Sequence, residues 1–555
     1  MNTVTCENDW WKWGEPQKRK ALTDYPKLKN HVAERWNRNF DTKYAASSSF
    51  AVISDDERAM RVAAIFQSQL GSIQYSSDPA LRLKKSAGKS YPDLLNALTG
   101  TPFVIPDGVA YPKNHDEVSA ILQTASENKI LLVPFGGGSN VVRAFTLPSQ
   151  NHQPHIALDL AEMKNLIAID KHNHTATFQC GIYGPALEKI LNEKGFTLGH
   201  FPQSFEYSTL GGWIVTRSAG QESSTYGRIE DMIISLKAAT PSGTISTSIY
   251  EGDAQGINIK SLFFGSEGML GVVTEATVRI HPLPENKKWL VAVFPSFTNG
   301  VELLRELVQQ EIFPSVVRFS DEHESFFLSL LSHETPGALG KLKSSVAKWV
   351  LKLKNIEHPS LLMIRFDGDK EESLLKKVIA ARLARKYNGF DVGESLGKKW
   401  ETSRFGLPYL RDDLMEREIF VDTMETVVPW NKLDELRTTL LAKLKTSPAF
   451  HHEKGILLAH VSHVYTSCAS IYFTVLTPRN KELGYEQWKE IKTLVTDTIV
   501  AEGGAVSHHH SIGTDHQQWY LKKTDSLTKA ILKNIKETVD PNNVLNPGKL
   551  FDEQI

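Results

Sequence analysis

Ile130, Leu131, Leu132 and Val133 run straight into Pro134, Phe135, Gly136, Gly137, Gly138, Ser139 and Asn140, and no other junction constrains this chain as much. An apolar, partly β-branched run is strand material. Consecutive glycines permit positive φ and leave successive backbone N–H groups bare. Such a nest holds an anion, and a diphosphate fits it. The spacing is not the G-x-G-x-x-G of a Rossmann turn, and no Lys-Ser or Lys-Thr follows as in a P-loop. A glycine triplet after a strand is also how a plain tight turn reads, so the segment needs company before it means a cofactor.

Two further segments supply that company. One holds Gln203, Ser204, Phe205, Glu206, Tyr207, Ser208 and Thr209, and continues through Gly211-Gly212-Trp213 to Thr216, Arg217, Ser218 and Ala219. The other holds Gly265-Ser266, Glu267, Gly268, Met269, Leu270, Gly271, Val272 and Val273. Each is a loop of glycines and hydroxyls beside a strand-like run. Any one is explained as a turn; three, tens of residues apart, favour one extended ligand with contacts along the chain.

With 555 residues and 41% hydrophobic content, the chain can bury more than one core, and two or three domains are expected. A formal charge of -1 gives no electrostatic case for nucleic acid, which calls for a basic excess. Cys6, Cys180 and Cys468 are too few and too scattered for a disulfide framework or a zinc site, so no metal is assigned and a reducing compartment is expected. No stretch approaches the ~18 apolar residues of a membrane span, and residues 1–16 lack the apolar core of a signal peptide.

Residues 1–95 are charged and mostly helical in pattern. From Phe103 to Pro284 short β-rich runs (156–160, 175–179, 271–280) alternate with helical stretches (114–128, 184–194), an α+β pattern. The breaker cluster His281-Pro282-Leu283-Pro284-Glu285 marks a boundary. Beyond it, 289–295, 360–367 and 469–476 read as strands between amphipathic helices, so a second domain with an antiparallel sheet spans 286–500. Residues 501–555 form a turn-rich C-terminal segment.

Three constellations can carry chemistry. Ser507-His508-His509-His510 lies among glycines; if extended, His508 and His510 share a face and His509 points away. Imidazoles titrate near neutrality and shuttle protons, but a metal-binding or solvated run reads the same way. Tyr472 alternates with Ile471 and Phe473, which sets it on one face with Ser470 and Thr474; packing with the hydroxyl at a rim is the plain reading. Arg411 follows Leu407-Pro408-Tyr409-Leu410 and reads either as a surface partner of Asp412 or Asp413 or as a fork for phosphate. Arg318, between Val317 and Phe319, is either a buried ion pair or a group close to the cofactor and substrate.

The order Pro-x-Gly-Gly-Gly, Ser-x-Glu-x-Ser-Thr-x-Gly-Gly-Trp, Gly-Ser-Glu-Gly-x-Leu-Gly-Val resembles FAD proteins of the vanillyl-alcohol-oxidase (PCMH-type) fold. Together with Tyr409-Leu410-Arg411-Asp412, Ile471-Tyr472-Phe473 and the triple histidine, it is similar to the alkyldihydroxyacetonephosphate synthase family over about residues 10–550. The resemblance implies an FAD-binding domain of two subdomains at 96–285 and a cap above it, with the C-terminal segment closing over the flavin site. It further implies non-covalent FAD, acyl-dihydroxyacetone phosphate and a long-chain alcohol as substrates, and redox-neutral use of the flavin. Tyr472 would be the acid/base, His508, His509 and His510 would assist acid departure and proton transfer, and Arg411 would hold phosphate. A homodimer is expected. Where related flavin 2-hydroxy-acid dehydrogenases read Glu-His-Gly with a metal-holding Glu, this chain has His509, which shifts the reading away from hydroxy-acid oxidation.

Residues 341–354 place Leu342, Val346, Trp349, Val350 and Leu353 at helical spacing among lysines without an acid. That pattern suits an interfacial membrane helix and equally a surface helix packed on the protein. The ending Asp552-Glu553-Gln554-Ile555 is unlike a peroxisomal Ser-Lys-Leu, so a cytoplasmic location, peripheral at a membrane face, is expected. Gln203 and Asn140 depart from the family's usual Asp and Ser at the cofactor loops, which keeps a hydroxy-acid dehydrogenase or oxidase, and a lipid-binding flavoprotein without turnover, as alternatives.

Overall fold

Asn114 accepts a hydrogen bond from the backbone N–H of Glu117 and so starts the helix His115–Glu127, whose Val118, Ile121, Leu122 and Ala125 are buried at helical spacing. That helix packs beside Leu131–Phe135, the strand that ends in the triple glycine. In the computed structural model, which describes residues 2–6, 9–41, 43, 49–147, 153–331 and 356–551, this strand lies in a four-stranded sheet. It pairs parallel with His155–Asp159, which pairs parallel with Gly108–Tyr111, and Gln74–Ser76 adds antiparallel at the far edge.

A second, antiparallel sheet of five strands carries Val272–Arg279 at its centre between Ile233–Thr240 and Thr175–Gln179. The two sheets with their helices are the two subdomains of the α+β cofactor domain. The chain's end returns to them: Leu132 N–H donates to the Val544 carbonyl at 2.7 Å and Asn546 N–H to the Leu132 carbonyl at 2.8 Å.

Asn286–Phe294 opens a seven-stranded antiparallel sheet whose other members include Val316–Ser320, Ser360–Gly368, Ile419–Pro429, Ile456–Val464 and Cys468–Pro478. One face is covered by Phe297–Gln309, Lys370–Lys386, Leu433–Thr446 and Gly484–Ala501. The other face looks toward the cofactor domain, and the site lies between them.

Residues 1–95 are mostly helical, with three short strands added. Beside the helices Pro26–Trp36, Asp56–Gln69, Pro79–Lys84 and Tyr91–Thr99, the segment contributes the strands Asn2–Thr5, Ser49–Ile53 and Gln74–Ser76. Phe50 and Val52 alternate into the core while Ser49 and Ile53 face out, a period-2 signal too short to stand out among charged residues. The segment is not a unit of its own: Leu22, Leu28, Val32 and Trp36 share a core with Leu410, Leu414, Leu458 and Leu476. The basic run 341–354 lies outside the described residues. No described helix is long and apolar enough to cross a membrane.

Candidate active site

The glycine triplet is pressed against the second loop. A Cβ on Gly137 would stand 1.9 Å from the Tyr207 carbonyl oxygen, and one on Gly136 would stand 2.4 Å from the Thr209 hydroxyl. Gly138 has φ +69°, and a Cβ there would strike the Phe135 ring. These glycines are dictated by close approach, and the approach shapes a cavity. Pro134, Phe135, Gly136, Gly137, Gly138, Ser139 and Asn140 line it. So do Gln203, Ser204, Ser208, Thr209, Thr216, Ser218 and Ala219 from the second segment, and Glu267, Gly268, Gly271, Val272 and Val273 from the third.

Six expected cofactor residues turn elsewhere. Phe205 stacks on Phe405 in the core, Glu206 pairs with Lys18, and the Tyr207 hydroxyl bonds that of Tyr409. Arg217 pairs with Glu230 at the surface, while Met269 and Leu270 are buried in the core. Glu267, which does line the cavity, spends its carboxylate on the C-terminal segment: one oxygen accepts from Ser511 and from the backbone N–H groups of Ile512 and Gly513.

The cap sheet supplies the opposite wall, and its polarity is graded. Cross-strand register aligns Val421 with Leu476, Thr423 with Thr474, and Glu425 with Tyr472 on neighbouring strands; on the third strand Leu458 faces Thr474 and His460 faces Tyr472. Side chains two apart share a face, so each strand steps from leucine or valine to a polar or titratable group over roughly 7–13 Å. Phe327, Leu328, Leu410 and Leu414 extend the apolar end.

Tyr472 sits at the polar end between two imidazoles. His460 stacks on it at 5.1 Å between centroids and His509 at 6.0 Å, and His510 meets it edge-on at 5.6 Å. Burial pushes its hydroxyl up to about 12, so it is protonated at neutral pH. The alternation expected for the histidine run is corrected: His509 and His510 line the cavity together, and His508 turns to Tyr465, whose hydroxyl is 2.6 Å from its Nε2. The run is not a strand. It wraps around one carboxylate: Glu425 accepts from the Ser507 hydroxyl at 2.7 Å and from the N–H groups of His508, His509 and His510 at 2.6, 3.1 and 2.9 Å.

Burial opposes ionisation of Glu425, but the donors that the histidine loop and the Ser507 hydroxyl turn on it outweigh burial and hold the carboxyl well below its usual range. His509 is driven the other way, down to about 3, by burial. His463, His508 and His509 bring one ring nitrogen each within 4.8 Å. Both His463 nitrogens are committed, one to the Gly220 carbonyl and one to Ser462 and Ser470, and both His508 nitrogens are committed to His509 and Tyr465.

Arg411 lies on the helix Leu407–Glu416, on the face that also presents Leu407, Leu410 and Leu414 to the cavity. It donates to the Lys89 carbonyl at 3.0 Å and to one Asp412 oxygen at 3.4 Å, while the other Asp412 oxygen accepts from the Trp13 N–H. A guanidinium so weakly paired keeps donors for an anion. Arg318 lines the cavity and pairs with the buried Glu324 at 2.7 Å. His460, Glu324, Glu425 and His463 escaped sequence reasoning, since single charged residues inside strands and helices carry no motif.

A polar cofactor fits the glycine side of this cavity. The loops stay bare of side chains where an extended ligand would lie, and Glu267 Oε2 and Asn546 Oδ1 are buried there without a hydrogen-bond partner. The fold and the site define an FAD-linked flavoprotein: residues 106–248 match the family model "FAD binding domain" and residues 283–550 match "FAD linked oxidases, C-terminal domain". The cofactor is FAD.

Alkyldihydroxyacetonephosphate synthase of Dictyostelium discoideum is 34% identical over 485 residues, 86% of this chain and 78% of that protein. The Caenorhabditis elegans synthase is 33% identical, over 87% of this chain and 82% of its own. A solved alkyldihydroxyacetonephosphate synthase superposes with a TM-score of 0.76 at 30% identity, covering 90% of this chain and 87% of that one. The chain belongs to the alkyldihydroxyacetonephosphate synthase family.

Proposed function

We propose that this enzyme exchanges the acyl group of acyl-dihydroxyacetone phosphate for a long-chain alcohol, the ether-forming step of ether-lipid synthesis. The graded sheet face carries the reading. A substrate with a phosphate, a reacting carbon and a long chain needs a cation, a proton-transfer cluster and an apolar trough, and Arg411, Tyr472 with its histidines, and Leu458 with Leu476 offer all three in one cavity. A small 2-hydroxy acid has no use for the trough.

When bound, FAD supplies a ring able to accept and return an electron pair within one turnover. The chain's own groups do the rest. Arg411 holds the phosphate by a two-point grip. Tyr472, protonated at neutral pH, gives a proton before it takes one, and neutral His509 and His510 stand against it as bases. Glu425 fixes the histidine loop so that both imidazoles keep this aim. The leucine trough keeps water from the chain end. Binding is non-covalent in this reading, because Phe135 rather than a histidine precedes the triplet. The test is an exchange assay on purified protein with the flavin spectrum recorded alongside: ether product without net bleaching supports the reading, and bleaching by a 2-hydroxy acid without ether product defeats it.

A further inference from the structure

His460 has no role in the account so far, yet it is built like a catalytic base. It is buried, lines the cavity, and its Nδ1 lies 3.0 Å from Glu324 Oε1. Glu324 is anchored in turn by Arg318 at 2.7 Å. Burial pushes the Glu324 carboxyl up, and the Arg318 charge with the hydrogen bond from His460 outweighs it and holds it at about 2. An ionised carboxylate only accepts, so Nδ1 carries the proton and Nε2 presents a bare lone pair. No described residue forms a hydrogen bond with that nitrogen.

The place of this dyad in the strand matters as much as its chemistry. His460 follows Leu458 by two residues on the same face of Ile456–Val464, at the step where the apolar trough turns polar. A long-chain alcohol lying in the trough has one polar atom, its hydroxyl, and a buried hydroxyl needs an acceptor. We propose that His460, oriented by Glu324, is the general base that activates the incoming alcohol, while Tyr472 and the histidine loop serve the departing acid.

In this step the alcohol O–H bond breaks and its proton passes to Nε2. The oxygen forms a new C–O bond to the substrate carbon, from which the acyloxy group has left with its electron pair. The proton then passes to the departed carboxylate or to solvent, so no oxidant or reductant is consumed. The groups facing His460 are Glu324 from the helix, Arg318 and Tyr472 from the flanking strands, and His509 from the loop. Burial and Arg318 lower its pKa while Glu324 raises it, so the imidazole is neutral and the carboxylate is what keeps it basic.

The inference rests on the exchange reading, and two half-reactions separate them. Exchange of labelled free fatty acid into acyl-dihydroxyacetone phosphate reports acid departure and return; incorporation of labelled hexadecanol reports the alcohol step. The probes are His460→Gln and Glu324→Gln, each first checked for flavin content and melting temperature. For His460→Gln, hexadecanol incorporation should fall roughly 100-fold, the ordinary size of a general-base contribution, with fatty-acid exchange falling at most a few-fold. Glu324→Gln removes the anion that raises the imidazole pKa, so the acid limb of the incorporation profile should move to lower pH with a reduced plateau. Equal loss of both half-reactions in His460→Gln, or an unmoved pH profile in Glu324→Gln, overturns the dyad. A wild-type protein that performs neither half overturns the exchange reading and the inference with it.

Discussion

Glu425 and Tyr472 stand directly opposite each other on neighbouring antiparallel strands, and this pairing joins Tyr472 to the histidine loop. The carboxylate reaches past the sheet and collects three consecutive backbone N–H groups, so the loop's shape is set by a residue more than eighty positions earlier in the chain.

Glu425→Gln should therefore loosen His508, His509 and His510 together. Hydrogen bonds to a charged group contribute about 1.5–3 kcal/mol each in net terms, and the amide can serve fewer of the four donors. A loss of stability of about 2–4 kcal/mol, with exchange activity down at least about tenfold and flavin still bound, is expected from melting curves and kinetics. Wild-type kinetics in this variant would mean the loop holds its form without the carboxylate.

Arg411→Lys keeps the charge and loses the planar fork. KM for the acylated phosphate should rise about tenfold, or ~1.4 kcal/mol, with a smaller change in kcat, and the effect should persist on detergent-dispersed substrate. An unchanged KM would return Arg411 to the structural role suggested by its bond to Lys89.

Legibility followed the range of the signal. The helix His115–Glu127 and the strand Thr175–Gln179 were readable because cap, period and turn residues sit next to one another. The glycine loops were readable because close backbone approach leaves a composition. Which side each loop residue faces was not: Phe205 and Tyr207 interrupt a cavity-lining run to pack on Phe405 and Tyr409. The face shared by Ser470, Tyr472 and Thr474 followed from strand alternation, whereas the His508–His510 alternation failed because tertiary bonds to Glu425, not strand pairing, shape that loop. Glu324 and His460 meet across 136 positions, and no local pattern announces such a pair.

The apolar trough predicts chain-length selectivity. Leu458→Trp or Leu476→Trp should block its mid-section, removing activity on hexadecanol and acyl chains of similar length while short-chain pairs still react. Measuring kcat/KM across a series of alcohols checks this, and a uniform loss at every length would place the chain elsewhere.

Acid should destabilise the protein early. Burial drives His200, His463 and His509 down to about 3 and His155 to about 4, and His508 and His516 well below their ordinary value. An unfolded histidine takes its proton near pH ~6.5, so between that pH and the folded values the unfolded chain binds more protons, and stability falls as pH falls, by ~1.4 kcal/mol per pH unit for each such group. Asp93 and Asp321, raised by burial to about 6 and about 8, act in the opposite sense and offset part of the slope. Melting temperature should drop steeply from pH 6.5 to 5; a flat profile across that window would contradict the buried neutral imidazoles.

The central claim is tested most directly by incubating the purified, FAD-loaded protein with acyl-dihydroxyacetone phosphate and labelled hexadecanol. The account predicts a labelled alkyl ether, one equivalent of released fatty acid, and a flavin spectrum that returns to the oxidised form without an external electron acceptor. Fatty-acid release without ether, or turnover only with a 2-hydroxy acid and an added acceptor, would contradict it.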